Sequence, residues 1–141
     1  MEINKNIIEL LEQEVNESIK LDEIPIGAVI FKTEDLSIIS SGHNTRQLER
    51  NVLGHAEINA ILEAEKNIND WRLDGYSMIV SLCPCKMCSA VIEESRLDNI
   101  YYILNSNYIN AGNNNFNKLE SFPELEKRLD QNLKNFFHKM R

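Results

Sequence analysis

Residues Tyr76–Ser95 read YSMIVSLCPCKMCSAVIEES, and the local pattern changes at Pro84. Tyr76 to Leu82 is a short run rich in apolar and β-favouring residues and predicts a buried strand. Pro84 stops that run and suits the opening of a helix, which Cys88, Val91 and Ile92 carry to about Ser95. A strand that feeds directly into a helix is the repeating unit of an α/β fold.

The flanking segments continue the alternation. Ile7, Ile8, Leu11, Val15 and Ile19 follow helical spacing, so residues 5–21 predict an amphipathic helix with an acidic, solvated outer face. Ile26 to Phe31 predicts a buried strand, paired as a hairpin with Leu36 to Ser40 across the polar turn Lys32 to Asp35. Residues 41–54 read as loop. Helical spacing resumes from His55 to Asn67, with Ala56, Ala60 and Ala64 allowing close packing. Downstream, Ile100 to Leu104 predicts a fourth strand, the Asn-dense segment 105–118 a loop, and Leu119 to Phe122 a short fifth strand. Pro123 then opens a helix over 123–139 that turns Leu125, Leu129, Leu133, Phe136 and Phe137 inward. The result is an α/β fold, a three-layer α/β/α sandwich with a mixed five-stranded sheet. The direction of the last strand stays open, because a parallel crossover needs about a dozen residues or more and 105–118 only just supplies them.

At 141 residues, against roughly 150 per domain, the chain predicts one domain over 1–141. A fold of this size buries about two-thirds of its unfolded surface, for which 43% hydrophobic residues suffice. The longest apolar stretch, Ile24 to Phe31, is under half of the ~18 residues a membrane span needs, so no transmembrane helix is expected. Acids run through the segment that would have to be the apolar core of a signal peptide, which points to a cytoplasmic protein.

Net charge is −7, and it is uneven: 2 Lys/Arg against 7 Asp/Glu in residues 1–23, 7 against 11 in 24–117, and 6 against 4 in 118–141. Nonspecific nucleic-acid binding rests on clustered cations, so such a chain is a poor candidate for it, and any nucleic-acid contact must be local and shape-driven. Cys83, Cys85 and Cys88 lie within six consecutive positions, which suggests a metal or redox site and not a disulfide framework.

His55-Ala56-Glu57 and Pro84-Cys85-Lys86-Met87-Cys88 carry the chemistry. Two thiolates three apart at a helix start share one face of the first turn and can grip one cation; zinc takes S and N ligands, and His55 could supply the third. Both helix N-termini would favour thiolate over thiol there. Three protein ligands leave a tetrahedral position open, as in catalytic zinc. Glu57 lies near such a metal without needing to bind it, and can take a proton from water and return it to a substrate nitrogen and then to the leaving amine. Other readings of the cysteines stay open at this level: a buried pair or redox dithiol, or a structural zinc closed by Cys83. Asn44 alone could be a turn residue, and His43 and His138 read as surface residues.

The H-x-E and P-C-x-x-C pair is a signature of zinc nucleobase deaminases. With EIPIGAVI, SGHNTR, GHAEINAI, the long stretch from Trp71 to Leu97 and the tail NFFHKMR in the same order, nearly the whole chain resembles the cytidine-deaminase-like superfamily, most closely its bacterial tRNA-specific adenosine deaminases. The resemblance implies zinc, one per chain, on His55, Cys85 and Cys88, and Glu57 as proton shuttle. It further implies Asn44 against the base or ribose, the Ala56 amide facing the attacked carbon, and a C-terminal helix with Phe136 and Phe137 at the tRNA anticodon loop. It implies a homodimer whose interface helps shape the pocket, and conversion of adenosine to inosine at the tRNA wobble position. Two departures stand out: Cys83 where the tRNA branch usually has Glu, and a shorter segment between the last two strands. They keep deamination of a free base or nucleoside, such as guanine, cytosine or cytidine, as the alternative.

Overall fold

A computed structural model of the chain describes residues 3–106 and 115–140. The first helix, α1 (Lys5–Lys20), starts where the Asn4 side chain accepts the Ile7 N–H at 3.0 Å, satisfying one of the free donors of the first turn. Strands β1 (Gly27–Lys32) and β2 (Ile38–His43) follow, then α2 (Arg46–Glu49) and α3 (Ala56–Ile68). The order ends with β3 (Tyr76–Leu82), α4 (Lys86–Ser95), β4 (Ile100–Leu104), β5 (Phe116–Lys118) and α5 (Pro123–Lys139). The sheet runs β2-β1-β3-β4-β5. Strand β1 is antiparallel to β2 and β3, while β3, β4 and β5 are parallel.

Strand alternation sorts the sheet's side chains into two cores, one per face. Ala28 and Ile30 of β1, with Met78 and Val80 of β3, meet Ala56, Ala60 and Ala64 of α3 and Ile92 of α4. On the other face Val29, Phe31 and Ile79 meet Ile7, Leu11 and Val15 of α1 and Leu125 and Leu129 of α5. Strands buried on both faces read as continuous apolar runs, which is why β1 and β3 were legible. The alanine column of α3 lets it settle close onto β2: a Cβ on Gly42 would lie 2.7 Å from both the Ala56 carbonyl oxygen and the Ala60 nitrogen. Ser40 Oγ donates to the Ala60 carbonyl at 2.7 Å and fixes that contact.

Three sequence expectations shift. Strand β2 begins at Ile38 instead of Leu36, since Asp35 Oδ1 accepts the Ser37 N–H and hydroxyl and Leu36 takes a left-handed φ of 64°, which closes a turn. The strand then runs into the span read as loop, because Ser40 and Gly42 face α3, and α2 also lies in that span. The fifth strand is Phe116–Lys118, not Leu119–Phe122, and it is parallel to β4. Leu119 marks its end, donating to the Tyr102 carbonyl at 2.8 Å, and Leu119 and Phe122 pack under α1 and α5 instead. Among the described residues, no helix is long and apolar enough to cross a membrane.

Candidate functional site

The N-termini of α3 and α4 converge at the C-terminal end of β3. His55 and Cys85 are the residues that cap these helices, both in extended backbone, and neither side chain folds back onto its own helix. Their carbonyls start the helical ladders, to the Asn59 and Ser89 N–H at 2.9 and 2.8 Å, so the side chains project outward. Cys88, one turn into α4, is buried beside them.

His55 Nδ1 lies 3.3 Å from Cys88 Sγ and 3.8 Å from Cys85 Sγ, and the three ligand atoms fall within 4.8 Å of one another. Zinc bond lengths at a tetrahedral angle require N···S separations of about 3.6 Å, so donor types and spacing both fit that ion. Left to themselves, the two thiols share charge unequally. Hydrogen bonds from Cys88 and His55 hold Cys85 far below the usual thiol range, whereas its proton bond to Cys85 and then burial push Cys88 up. The hydrogen bond between His55 and Cys85 raises the imidazole. A dication between them removes the competition and favours two thiolates.

Glu57 and Cys83 stand outside this cluster. Glu57 is 4% exposed, and burial pushes its carboxyl up to about 7, poised to hold or release a proton near neutral pH. Cys83 is nearly buried, which raises its thiol and keeps it neutral. Both line a cavity of about 440 Å³ together with His55, Cys85, Asn44 and Phe137, a size typical of small-molecule and nucleobase sites.

Of the residues singled out from sequence, the structure brings His55, Glu57, Cys85, Asn44 and Phe137 to one cavity. Cys88 completes the metal cluster from below. Ala56 is fully buried, and its N–H donates to Asn44 Oδ1 at 2.9 Å, so it supports the wall without lining it. That bond leaves the Asn44 Nδ2 hydrogens without a protein partner among the described residues. Phe136 and Phe137 do not both turn inward: Phe137 is 51% exposed, stacked edge-on against Phe136 at 5.4 Å. His43 is not a plain surface residue, since its ring sits 3.4 Å from Glu14. None of the acids on α1 is buried, as its solvated outer face predicts, whereas Glu23, beyond the helix end, is only 1% exposed. Lys139 is paired with Asp22 at 2.9 Å, and Arg141 lies outside the described residues. Sequence reasoning missed Arg46, which lines the cavity; the SGHNTR motif held it in view without marking its direction.

The model for the cytidine and deoxycytidylate deaminase zinc-binding region matches residues 1–104. A tRNA-specific adenosine deaminase of Rickettsia bellii is 44% identical over 57% of this chain, and the match spans 56% of that protein, little more than half its length. The Rickettsia typhi protein of the same name is 36% identical over 85% of this chain and 88% of its own. A solved structure from a study of A-to-I editing by tRNA:A34 deaminases at the wobble position of transfer RNA superposes with a TM-score of 0.68. It shares 34% identity and covers 72% of this chain and 76% of that one. A match of that family model to residues 1–104, well over half of the sequence, means that the chain belongs to the cytidine and deoxycytidylate deaminase zinc-binding family.

Proposed function

We propose that residues 1–141 form one zinc-dependent hydrolytic deaminase unit that converts adenosine to inosine at the wobble position of tRNA. The observation that carries this reading is Glu57: a carboxyl buried to 4% exposure, raised to about 7, on a cavity wall beside an imidazole and two cysteines. A purely structural metal site has no use for a buried acid beside its ligands. His55, Cys85 and Cys88 hold one zinc, which when bound acts as a Lewis acid on water near neutral pH.

Glu57 takes one proton of the attacking water and passes it to the ring nitrogen, then takes the other from the hydroxyl now on the attacked carbon and delivers it to the amine as the carbon–nitrogen bond breaks. Water and adenosine become inosine and ammonia. Asn44 donates its free amide hydrogens to the base or ribose, and the Ala56 N–H holds that amide in place from behind. Phe137 offers an exposed ring at the cavity for a neighbouring base. The names borne by the relatives support tRNA as substrate. A cytoplasmic homodimer is the setting that fits a tRNA enzyme of this family.

The test is ammonia release from an anticodon stem-loop, set against free adenosine, cytosine, cytidine and guanine. Turnover of the stem-loop alone is expected. Turnover of free bases with an inert stem-loop would replace the reading with that of a small-molecule deaminase.

A further inference from the structure

Arg46 is the lone permanent cation among the described residues that line the cavity. Its guanidinium has no hydrogen bond or ion pair to any described residue. Other cations near the C-terminal helix are occupied: Arg128 with Glu12 at 2.7 Å, Lys134 with Asp130 at 2.9 Å, and Lys139 with Asp22 at 2.9 Å. In a chain of net charge −7, an unpaired guanidinium beside a cavity is conspicuous by its isolation.

The backbone that presents it is held from three directions. Buried Glu23 accepts the N–H groups of Gln47 and Leu48 at 3.2 and 2.7 Å, placing a carboxylate under the turn that starts at Arg46. The Thr45 N–H donates to the Gly54 carbonyl at 2.8 Å, and Asn59 Nδ2 of α3 donates to the Thr45 hydroxyl at 2.9 Å. Gly54 is needed for this approach, since a Cβ there would lie 2.7 Å from the Arg46 nitrogen and 2.8 Å from its Cα. A rigid backbone and an uncommitted planar cation together make a preorganised oxyanion receptor, and guanidinium geometry matches phosphate in two parallel hydrogen bonds.

We propose that Arg46 is a phosphate anchor: it binds a phosphate attached to the nucleoside whose base enters the cavity, so the substrate is phosphorylated and is neither a free base nor a bare nucleoside. This rests on the reading of the cavity as a nucleobase site. The phosphate can come from an RNA backbone or from a free nucleotide, and the chemistry at Arg46 is the same.

The test measures binding of a labelled anticodon stem-loop to the zinc-loaded protein by fluorescence anisotropy over a range of salt, with AMP and adenosine as competitors. Arg46→Gln should raise Kd on the order of tenfold, as expected for a lost charge-assisted contact. It should also lower the magnitude of the log–log salt slope by about 0.7, the value for one single-strand phosphate. Arg46→Lys should recover part of both, and Lys66→Gln, an exposed cation elsewhere on α3, should match the parent. An advantage of AMP over adenosine that vanishes in Arg46→Gln assigns the anchor to a free nucleotide. Arg46-dependent stem-loop binding without that advantage assigns it to the RNA backbone. Unchanged Kd and slope in Arg46→Gln, or no binding of either ligand by the parent, overturns the proposal. Ammonia release is scored separately: Arg46-dependent binding without adenine deamination sinks the proposed function and leaves the anchor, while deamination with Arg46-independent binding does the reverse.

Discussion

Asn44 Oδ1 accepts the backbone N–H of Ala56 at 2.9 Å, and this bond ties the residue after β2 to the first turn of the helix that carries His55 and Glu57. Asn44 is 3% exposed, and its own N–H donates to Ser18 Oγ at 3.2 Å, so the tie extends to α1. Asn44→Ala leaves the buried Ala56 N–H without an acceptor. The expected cost is about 1–3 kcal/mol of folding stability, read by urea denaturation. Zinc affinity should fall with it, because Ala56 adjoins the ligand His55. A variant as stable as the parent would show that water replaces the amide at no cost.

Gly42 gives a second, independent check on the same helix. The Cβ of an alanine there would meet backbone atoms of Ala56 and Ala60 at 2.7 Å, and backbone cannot swing aside as a side-chain tip can. Gly42→Ala is expected to cost about 3 kcal/mol, the upper part of the range for overpacking. Since α3 must shift outward, its effect on zinc content should exceed that of an equally destabilising change in the α1/α5 core, such as Leu129→Ala.

Sequence alone carried the strands and helices that bury whole faces, because their apolar periods are long and their ends are marked by Pro25, Pro84 and Pro123. It failed where polar residues do structural work. Ser41, Gly42 and His43 carry β2 past its expected end at Ser40 because α3 packs on this strand, a tertiary cause with no local signature. Phe116–Lys118 pairs with β4 while sitting at the end of an Asn-dense run that reads as loop. The metal donors were legible from fixed spacing at helix starts. Glu23 and Arg46 were not, since a buried acid that holds backbone N–H groups looks, in sequence, like one more charge on an acidic segment.

Metal analysis distinguishes the ligand set. The parent should hold one zinc per chain, Cys88→Ser should lose most of it, and Cys83→Ser should keep it, because the Cys83 thiol lies outside the cluster and burial keeps it protonated. Loss of zinc from Cys83→Ser would make the site four-coordinate and structural.

Glu57 yields a pH signature as well as a kinetic one. Glu57→Gln should retain zinc while deamination falls by on the order of 10² or more, the scale for losing a general acid/base. In the chelated protein, burial raises the folded-state carboxyl from 4.5 to about 7, so the native state binds more protons than the unfolded state between those values. Its contribution to stability is fully present below about 4.5 and lost as pH rises through about 7. Comparing the chelated parent with Glu57→Gln isolates this group from Cys85 and His55. Their stability difference should drift in favour of the variant across that window and level off above it. A difference that stays flat with pH would mean that Glu57 is hydrated in solution.

Phe137 completes the separation of packing from recognition. Both phenylalanines of the tail lie at helical spacing from the core leucines, yet only Leu125 and Leu129 of α5 are buried, and Phe137 is 51% exposed at the cavity. Half of an aromatic ring left in water contributes little to folding, so Phe137→Ala should cost under about 1 kcal/mol of stability. An aromatic face stacked on an unpaired base is worth about 1–3 kcal/mol, so the same variant should weaken binding of the anticodon stem-loop by roughly 5- to 150-fold. Phe137→Trp should restore it. Stacking neutralises no phosphate, so the salt slope of binding should stay at the parental value in Phe137→Ala, in contrast to the shallower slope expected for Arg46→Gln. A large loss of stability with unchanged RNA binding would return Phe137 to the core and leave the stem-loop without an aromatic platform on this helix.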